Sequence, residues 1–150
     1  MKRWSTRLWL TALTSLFAGC ATGYHALGFS GGYSEIMTGP NSFIVTYVGN
    51  AYTSSEDVLR YSLLRASELT LRNGYKYFSI ISTVDQTSSS NFYNAYGDAY
   101  SVRATATTIV KPGASIIIRC FGEKPEVGEV FDAQFYWNTN NEEVVNSSSA

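Results

Sequence analysis

The stretch TSSEDVLRYSLLRASELTLRNG, residues 53–74, decides the fold because it carries a complete helix signature. Thr53 and Glu56 have the spacing of a capping box, and Asp57 adds negative charge near the positive end of the helix dipole. Asn73-Gly74 provides a left-handed stop. Apolar and small residues recur on one side and predict the stripe that packs on a sheet: Val58, Leu59, Ser62, Leu63, Ala66, Leu69 and Thr70.

Two leucines of this helix, Leu64 and Leu71, fall off the stripe, on nearly the opposite side. Scattered surface leucines need no explanation, and a loop can also cover them. The sharper hypothesis makes them a partner-binding edge, because exposed apolar patches mark interaction surfaces.

Strand-forming segments flank the helix. Residues 43–48 are apolar on both faces, which predicts a central strand or one covered on both sides. Residues 75–84 predict a second strand. Residues 100–110 and 115–121 flank a Pro-Gly turn signal at 111–114 and predict an antiparallel hairpin.

This order predicts an α+β domain over residues 33–137, with one main helix packed on a mainly antiparallel sheet of about four strands (β-α-β-β-β) in two layers. The apolar cluster at 130–137 adds an edge strand or a short helical turn. The second face of the sheet is left open to the middle loop, to this cluster or to a partner.

The middle of the chain, residues 86–99, is rich in Ser, Asn and Tyr without a period and predicts a long exposed loop. Phe92, Tyr93, Tyr96 and Tyr100 decorate it. Such aromatic side chains suit stacking on sugars or contact with a protein partner. Alternatively, they fold back over the sheet.

The N-terminus has the parts of a bacterial export signal: a basic start and the mostly apolar run 8–18, too short for a bilayer span of ~20 residues. Leu16-Phe17-Ala18-Gly19-Cys20 resembles a lipobox, in which small residues precede a cysteine that receives lipid on its sulfur. We therefore predict that residues 1–19 are a signal peptide and that Cys20 carries acyl chains such as palmitate. The alternative is an ordinary secreted protein cleaved near Cys20.

Two segments predict little structure of their own. Residues 20–32 have no period and three glycines in their last five positions, which predicts a flexible tether between lipid and domain. His25, the one histidine of the chain, lies there, where no partner for catalysis or metal binding is held at a fixed distance. Residues 138–150 are rich in Asn, Glu and Ser and predict a disordered tail.

Composition excludes several classes of function. Without the signal, acidic residues outnumber basic ones, which excludes nucleic acid as a partner and disfavours polybasic membrane binding. Cys120 lies in an apolar run and predicts a buried, inert thiol, or a disulfide with Cys20 if that residue carries no lipid.

Catalytic chemistry has little support in the sequence. We expect no metal or cofactor, because no phosphate loop or His/Cys metal spacing occurs. A carboxylate pair of the kind that cleaves sugars is conceivable among Glu35, Asp85, Asp98 and Asp132. The sequence as a whole predicts a protein that is not an enzyme.

Short motifs follow the lipobox in a defined order: Gly32-Tyr33-Ser34-Glu35, a strand followed by Gly49-Asn50, Arg65-Ala66-Ser67-Glu68-Leu69-Thr70, and Phe131-Asp132-Ala133. In this order they resemble a family of small, functionally uncharacterised bacterial lipoproteins, over roughly residues 20–137. The middle loop is shorter and poorer in Gly and Trp than in that family. The resemblance implies a lipid-anchored envelope protein and brings no activity with it.

The motifs also have physical interpretations. Arg65 and Glu68, at i and i+3, are spaced to form an ion pair. Asn50 suits a left-handed turn before the helix. Ala21, in place of the Asp that commonly retains such lipoproteins in the inner membrane, favours the outer membrane, with the domain facing the periplasm.

Two hypotheses of function follow. In the first, the protein is a non-catalytic interaction or accessory domain held at the membrane by its lipid, with an envelope protein bound at Leu64, Leu71, Phe92, Tyr93 and Tyr96. In the alternative, it binds cell-wall glycan or a small envelope ligand and uses the loop aromatics as stacking platforms.

Overall fold

Two antiparallel sheets and two helices make up the described part of the chain, which in this computed structural model comprises residues 20–98, 101–126, 128–142 and 144. The side chains of residues 95–102 lie outside that description, as does the predicted signal peptide, residues 1–19.

The elements follow in the order β1 (Gly32–Gly39), β2 (Ser42–Val48), α1 (Ser55–Arg72), β3 (Tyr77–Asp85), β4 (Ser88–Asp98), β5 (Ser101–Lys111), β6 (Gly113–Phe121), β7 (Phe131–Asp132) and α2 (Ala133–Asn140). The main sheet has the strand order β1-β2-β6-β3-β7, and all its neighbours are antiparallel. A second sheet contains β4 and β5. The predicted α+β class with mainly antiparallel strands is confirmed, with one more strand in the main sheet than predicted and a second helix.

Helix α1 lies on one face of the main sheet because alternate strand residues present an apolar surface to it. Phe43 and Val45 of β2, and Ile116 and Ile118 of β6, are buried in a cluster with Leu63, Ala66 and Leu69 of α1. Burial of each large side chain stabilises the fold by about 1.5–3 kcal/mol. The small residue Ala66 is completely buried in mid-helix, as expected where a helix approaches a sheet closely.

The helix begins one residue later than the capping box predicts. Ser54 is the N-cap, and its hydroxyl oxygen accepts a hydrogen bond from the Asp57 amide at 3.0 Å. The Thr53 hydroxyl is taken by other partners, since it accepts from the amides of Thr22 and Asn50. The predicted left-handed stop is found at Gly74, with φ of +80°.

Burial of α1 extends well beyond the predicted stripe. Leu64, predicted to lie on a partner-binding edge, is 0 % exposed and packs in a second cluster with Tyr47, Val58 and Tyr61. Leu71 is half-buried against the first cluster. The predicted surface role is therefore wrong for Leu64, because the sheet covers one side of α1 while α2 and the N-terminal residues cover another. For Leu71, which keeps part of its surface exposed, it stays a prediction.

The hairpin predicted between residues 100–110 and 115–121 does not form, because each of the two strands pairs with other strands. Strand β6 lies between β2 and β3, in register from Tyr77 opposite Phe121 to Asp85 opposite Ala114. Both of its edges are therefore occupied, and β5 pairs with β4 instead. The residues 86–99, predicted as a loop, mostly form β4.

The C-terminal cluster forms both a strand and a helix. The Phe131 ring of β7 stacks on Phe78 with centroids 5.0 Å apart, and the Asp132 carboxylate caps α2 by accepting from the Phe135 amide. Helix α2 continues through residues 138–140, which were predicted to belong to the disordered tail. Residues 143 and 145–150 of that tail lie outside the described part of the chain.

The second face of the main sheet, whose covering the sequence left open, has neither described helix on it. Ile44 of β2 pairs with Ile36 and Ile117 on this face, and Ile36 is exposed. Both helices contribute to the clusters on the other face, through Leu63 and Ala133.

The domain has two distinct ends. At the end that we call the Cys20 end, β2 stops at Val48, β3 stops at Asp85, β6 starts at Gly113 and α1 starts at Ser55. The opposite end carries the β1–β2 turn, the end of α1 and the start of β3.

Candidate functional site

Residues 20–31, which we call the N-terminal segment, pack onto the domain where the sequence predicted a tether. The Tyr47 hydroxyl donates to the carbonyl oxygens of Thr22 and Gly23 at 2.8 and 2.9 Å. The Thr22 amide donates to the Thr53 hydroxyl oxygen at 3.0 Å, and Thr22 is buried. The polar groups of the segment are thus bonded to the end of β2 and the start of α1.

Asn50 holds the first described residue of the chain. Its side-chain amide donates to the carbonyl oxygen of Cys20 at 2.9 Å, and its side-chain oxygen accepts from the Tyr52 amide at 2.9 Å. The predicted left-handed conformation of Asn50 is wrong, because positive φ among the described residues is confined to glycine. The Asn50 side chain organises the turn through its hydrogen bonds, without a left-handed backbone. These bonds hold Cys20 next to the start of α1.

The N-terminal segment turns back into β1 through Gly31 and Gly32, with φ of 108° and 120°. A Cβ atom at Gly31 would overlap the carbonyl oxygen of Val48. A Cβ atom at Gly32 would overlap the carbonyl oxygen of His25. Close backbone approach and positive φ thus require glycine at both positions, and Gly32 is the first residue of the Gly-Tyr-Ser-Glu motif.

Arg65 of α1 links this helix to β1. Its guanidinium binds both carboxylate oxygens of Glu35 on β1, at 2.5 and 3.2 Å, and Glu68 on α1 at 2.6 Å. The predicted Arg65–Glu68 pair is therefore confirmed, but the Arg65 side chain is almost fully buried. The guanidinium also lies 4.1 Å from the ring centroid of Tyr33. Burial lowers the pKa of Arg65, but the hydrogen bonds to Glu35 and Glu68 outweigh it, and the pKa is raised overall.

Tyr24 connects the N-terminal segment to this network. Its hydroxyl donates to Glu68 at 2.5 Å, and its ring packs against Tyr33, Tyr61 and Trp137. Burial raises the pKa of Tyr24 well above its usual range, and the neighbouring Glu68 carboxylate adds to the shift. The ion pairs of Arg65 with Glu35 and Glu68, together with the Tyr24 hydrogen bond, thus hold the N-terminal segment, β1 and α1 together.

The remaining candidate carboxylates lie in separate places. Asp85 is exposed at the Cys20 end, where a hydrogen bond from Thr87 lowers its pKa. Asp132 caps α2 at the opposite end. Asp98 belongs to β4, and its side chain lies outside the described part of the chain. Glu35 is bound to Arg65, so the structure does not bring Glu35, Asp85 and Asp132 together as a sugar-cleaving pair.

Cys120 is completely buried, as predicted. Burial raises the pKa of its thiol, whose sulfur lies 3.3 Å from the Thr70 hydroxyl oxygen. Cys120 is near the opposite end of β6, roughly 23 Å along the strand from Gly113 at the rise of a β-strand. A disulfide requires Cα atoms within about 7 Å, so a Cys20–Cys120 bridge is incompatible with this fold.

His25 stays at the surface of the N-terminal segment. Its Nδ1 atom lies 2.8 Å from the Ala26 carbonyl oxygen. It lines a cavity of about 540 Å³ together with Tyr24, Asp57 and Tyr61, between the segment and α1. A hydrogen bond from Ser54 lowers the pKa of Asp57, which also pairs with Arg60.

Strands β4 and β5, residues 88–111, form a two-stranded hairpin that we call the arm. Its register runs from Ser88 opposite Lys111 to Asp98 opposite Ser101. Eleven residues per strand correspond to a length of about 37 Å. Each strand has one edge to which no other described strand is bonded. The arm is thus regular in backbone, and no helix or strand in the described part of the chain is packed on it as a second layer.

The aromatic residues predicted in this region are on the arm. Phe92 and Tyr93 are adjacent on β4 and are 53 % and 75 % exposed. For Phe92 and Tyr93, the hypothesis that the aromatic side chains fold back over the sheet is therefore wrong. Tyr96 also belongs to β4, but its side chain lies outside the described part of the chain, and Tyr100 lies outside it entirely.

The arm emerges at the Cys20 end. The Gly49 amide donates to the Pro112 carbonyl oxygen at 2.8 Å, and the Gln86 amide donates to that of Gly113 at 2.9 Å. These bonds fix both legs of the arm to the end of the sheet that also holds Cys20. No sequence signal indicated this placement, because it depends on which strands flank β6.

Comparisons with protein-family models, with curated proteins and with solved structures found no match to this chain. Among the described residues, no helix is both long and apolar enough to cross a membrane. Nor does the described part of the chain contain three or more His, Cys, Asp or Glu side chains grouped to hold a metal ion.

Proposed function

We propose that the protein is a lipid-anchored interaction domain of the bacterial envelope that binds a partner protein through the arm. The observation that carries the proposal is the exposed two-stranded hairpin, residues 88–111, with one unbonded edge on each strand. In this role the core domain is the scaffold that holds the arm, and the arm binds the partner. The lipid on Cys20 keeps both at the outer membrane.

Edge strands favour binding by strand addition. An exposed strand presents a row of backbone donors and acceptors, and an extended segment of a partner can extend the sheet by bonding to it. Proteins commonly block such edges with charges or proline. In β5 the stretch 104–110, ATATTIV, contains neither, so its edge is open to a partner strand.

Phe92 and Tyr93 supply the side-chain part of the interaction. Aromatic residues are enriched at protein interfaces because they bury much area with few rotatable bonds. Both are held on a strand rather than a loop, which reduces the ordering entropy lost on binding.

A photo-crosslinking experiment in cells tests the arm. A photoreactive amino acid replaces Phe92, Thr105 or Thr107 on the arm or, as matched control, the exposed Phe135 on α2. We expect the arm positions to crosslink to one shared envelope protein and the Phe135 position not to. Crosslinks that are equal at all positions, or absent from the arm, would contradict the proposal.

A binding assay distinguishes the glycan hypothesis from the protein-partner proposal. Wild-type protein and a Phe92→Ser, Tyr93→Ser double variant are incubated with isolated cell wall. If the wild type is retained and the variant is released with its fold intact, the arm binds glycan, and the protein-partner proposal is wrong.

The anchor is tested by intact mass of protein extracted from membranes. We expect a mass increased by acyl chains on Cys20 and loss of this increase in Cys20→Ser. A mass equal to unmodified residues would remove the lipid from the proposal.

A further inference from the structure

Several large apolar or aromatic side chains are exposed at the Cys20 end of the domain, and three of them lie on the N-terminal segment or next to Asn50. Phe29 is fully exposed, Leu27 is 54 % exposed and Tyr52 is 67 % exposed. None of the three belongs to either core cluster. We call these residues the apolar rim.

Phe29 is held at the tip of a tight turn. The amides of Gly28 and Gly31 donate to each other's carbonyl oxygens at 2.8 and 3.2 Å, and the Leu27 amide donates to the Tyr33 carbonyl oxygen at 2.7 Å. The turn is therefore bonded to β1, and the exposure of Phe29 is a consequence of its defined backbone.

The rim surrounds the point where the described chain begins. Asn50 donates to the Cys20 carbonyl oxygen and accepts from the Tyr52 amide, which places Tyr52 beside Cys20. Leu27 and Phe29 line one small cavity, of about 150 Å³, together with Asn50 and Lys111. A single asparagine thus connects both parts of the rim to Cys20.

We infer that Leu27, Phe29 and Tyr52 form a membrane-contact surface that enters the interfacial layer of the bilayer holding the Cys20 lipid. The inference rests on the proposed lipid anchor, because the anchor brings this end of the domain to the membrane. Aromatic and leucine side chains are the residues that favour the headgroup–acyl boundary. A bilayer is therefore an occupant that matches both their chemistry and their position.

The charges at the Cys20 end are mixed, since Glu56 and Asp85 are exposed there as well as Lys111. Lys111 lines the same cavity as Phe29 and can interact with anionic headgroups. The acidic residue Asp57, at the start of α1, is paired with Arg60 at 2.9 Å, so its charge is partly compensated.

The inference is tested with the full, acylated protein in vesicles of phosphatidylcholine with brominated acyl chains. Residues 1–19 contain Trp4 and Trp9, so Trp137 is the one tryptophan after the signal. In a Trp137→Phe background, Phe29→Trp reports on the rim, and Phe135→Trp, on an exposed α2 position, is the matched control. We expect bromine to quench the emission of the Phe29→Trp variant at least twofold more than that of the Phe135→Trp variant. A blue shift on vesicle binding is expected for the Phe29→Trp variant alone.

Three other outcomes overturn the inference in distinguishable ways. Acylated, vesicle-bound protein in which both variants are quenched equally shows that the rim does not enter the bilayer, while the anchor stands. A blue shift of the Phe29→Trp variant that depends on protein concentration but not on bromine assigns the rim to a second copy of the chain. Protein without acyl mass that stays off vesicles removes the anchor and the inference together.

Discussion

The N-terminal segment and the arm show opposite relations between regular structure and packing. The segment, residues 20–31, has no helix or strand, yet buried Thr22, half-buried Tyr24 and the closely packed Gly31 hold it on the domain. The arm, residues 88–111, has strand geometry almost throughout, yet its side chains from 88 to 94 and 103 to 108 are exposed.

The difference arises from where the bonding partners lie. The polar groups of the segment form hydrogen bonds with Tyr47, Thr53 and Glu68, which lie in other parts of the domain. The arm satisfies its backbone within itself, since β4 and β5 bond to each other. A two-stranded hairpin without a packed face is marginal in water, so the arm is the part of the domain that gains most from a partner.

The largest effect is expected from Gly31→Ala, which would detach the segment. The new Cβ would require an unfavourable positive φ and would overlap the Val48 carbonyl oxygen, so we expect a loss of about 3 kcal/mol of unfolding free energy. Gly23→Ala in the same segment meets no atom within 4 Å and should change stability by less than about 0.5 kcal/mol. Urea unfolding of both variants measures this; equal stabilities would show that the segment is not fixed.

The second largest loss of stability is expected when the ion pairs of Arg65 are removed. Arg65→Leu leaves Glu35 and Glu68 without their buried partner, and we expect a loss of roughly 2–3 kcal/mol of unfolding free energy, discounted because both carboxylates are partly exposed. Arg72→Leu removes an exposed partner of Glu68 and should cost less than about 0.5 kcal/mol. Thermal unfolding distinguishes the two, and similar losses would contradict a special role of Arg65.

A smaller, pH-dependent effect is expected from Tyr24→Phe. The pKa of Tyr24 is raised in the folded protein, so its contribution is complete below the usual tyrosine pKa of about 10 and is lost as pH rises above it. The hydroxyl should contribute about 1–2 kcal/mol at pH 7 through its bond to Glu68. Unfolding free energies of wild type and variant from pH 7 to 11 should converge above pH 10; parallel curves would disprove the coupling.

The smallest effect is expected in the arm. Phe92→Ser with Tyr93→Ser removes exposed side chains, so the unfolding free energy of the domain should change by less than about 0.5 kcal/mol. Calorimetry measures it. A loss of more than about 2 kcal/mol would mean that these rings stabilise the core fold, and the contrast between arm and segment would disappear.

The sequence predicts elements whose signals are local. Helix α1 was recognised from its cap and periodicity, but Ser54 replaces Thr53 as N-cap because Thr53 bonds Thr22, a partner 31 residues away. The prediction for Leu64 is wrong because the stripe analysis assumes that a helix packs on one side only. Helix α1 packs on more than one side and contributes to both core clusters. Burial of Cys120 followed from its apolar neighbours alone.

The candidate site depends on long-range pairing and was less predictable. Ser, Asn and Tyr in β4 have the composition of a loop, and its strand state depends on β5. The Pro112 turn signal indicated a local hairpin, but β3 competes for the same edge of β6 and occupies it. Glycines that looked like tether residues are instead those that allow close backbone contact.

The hydrogen bond from Asn50 to the Cys20 carbonyl oxygen has a mechanical consequence. A flexible linker the length of the predicted tether would let a lipid-anchored domain explore a radius of about 19 Å, in any orientation. Because the N-terminal segment is bonded to the domain, it does not act as a flexible linker, and an anchored domain would stay close to its lipid. Under the proposed lipid anchoring, the arm would meet a membrane-bound partner in a narrower range of orientations and at a raised local concentration.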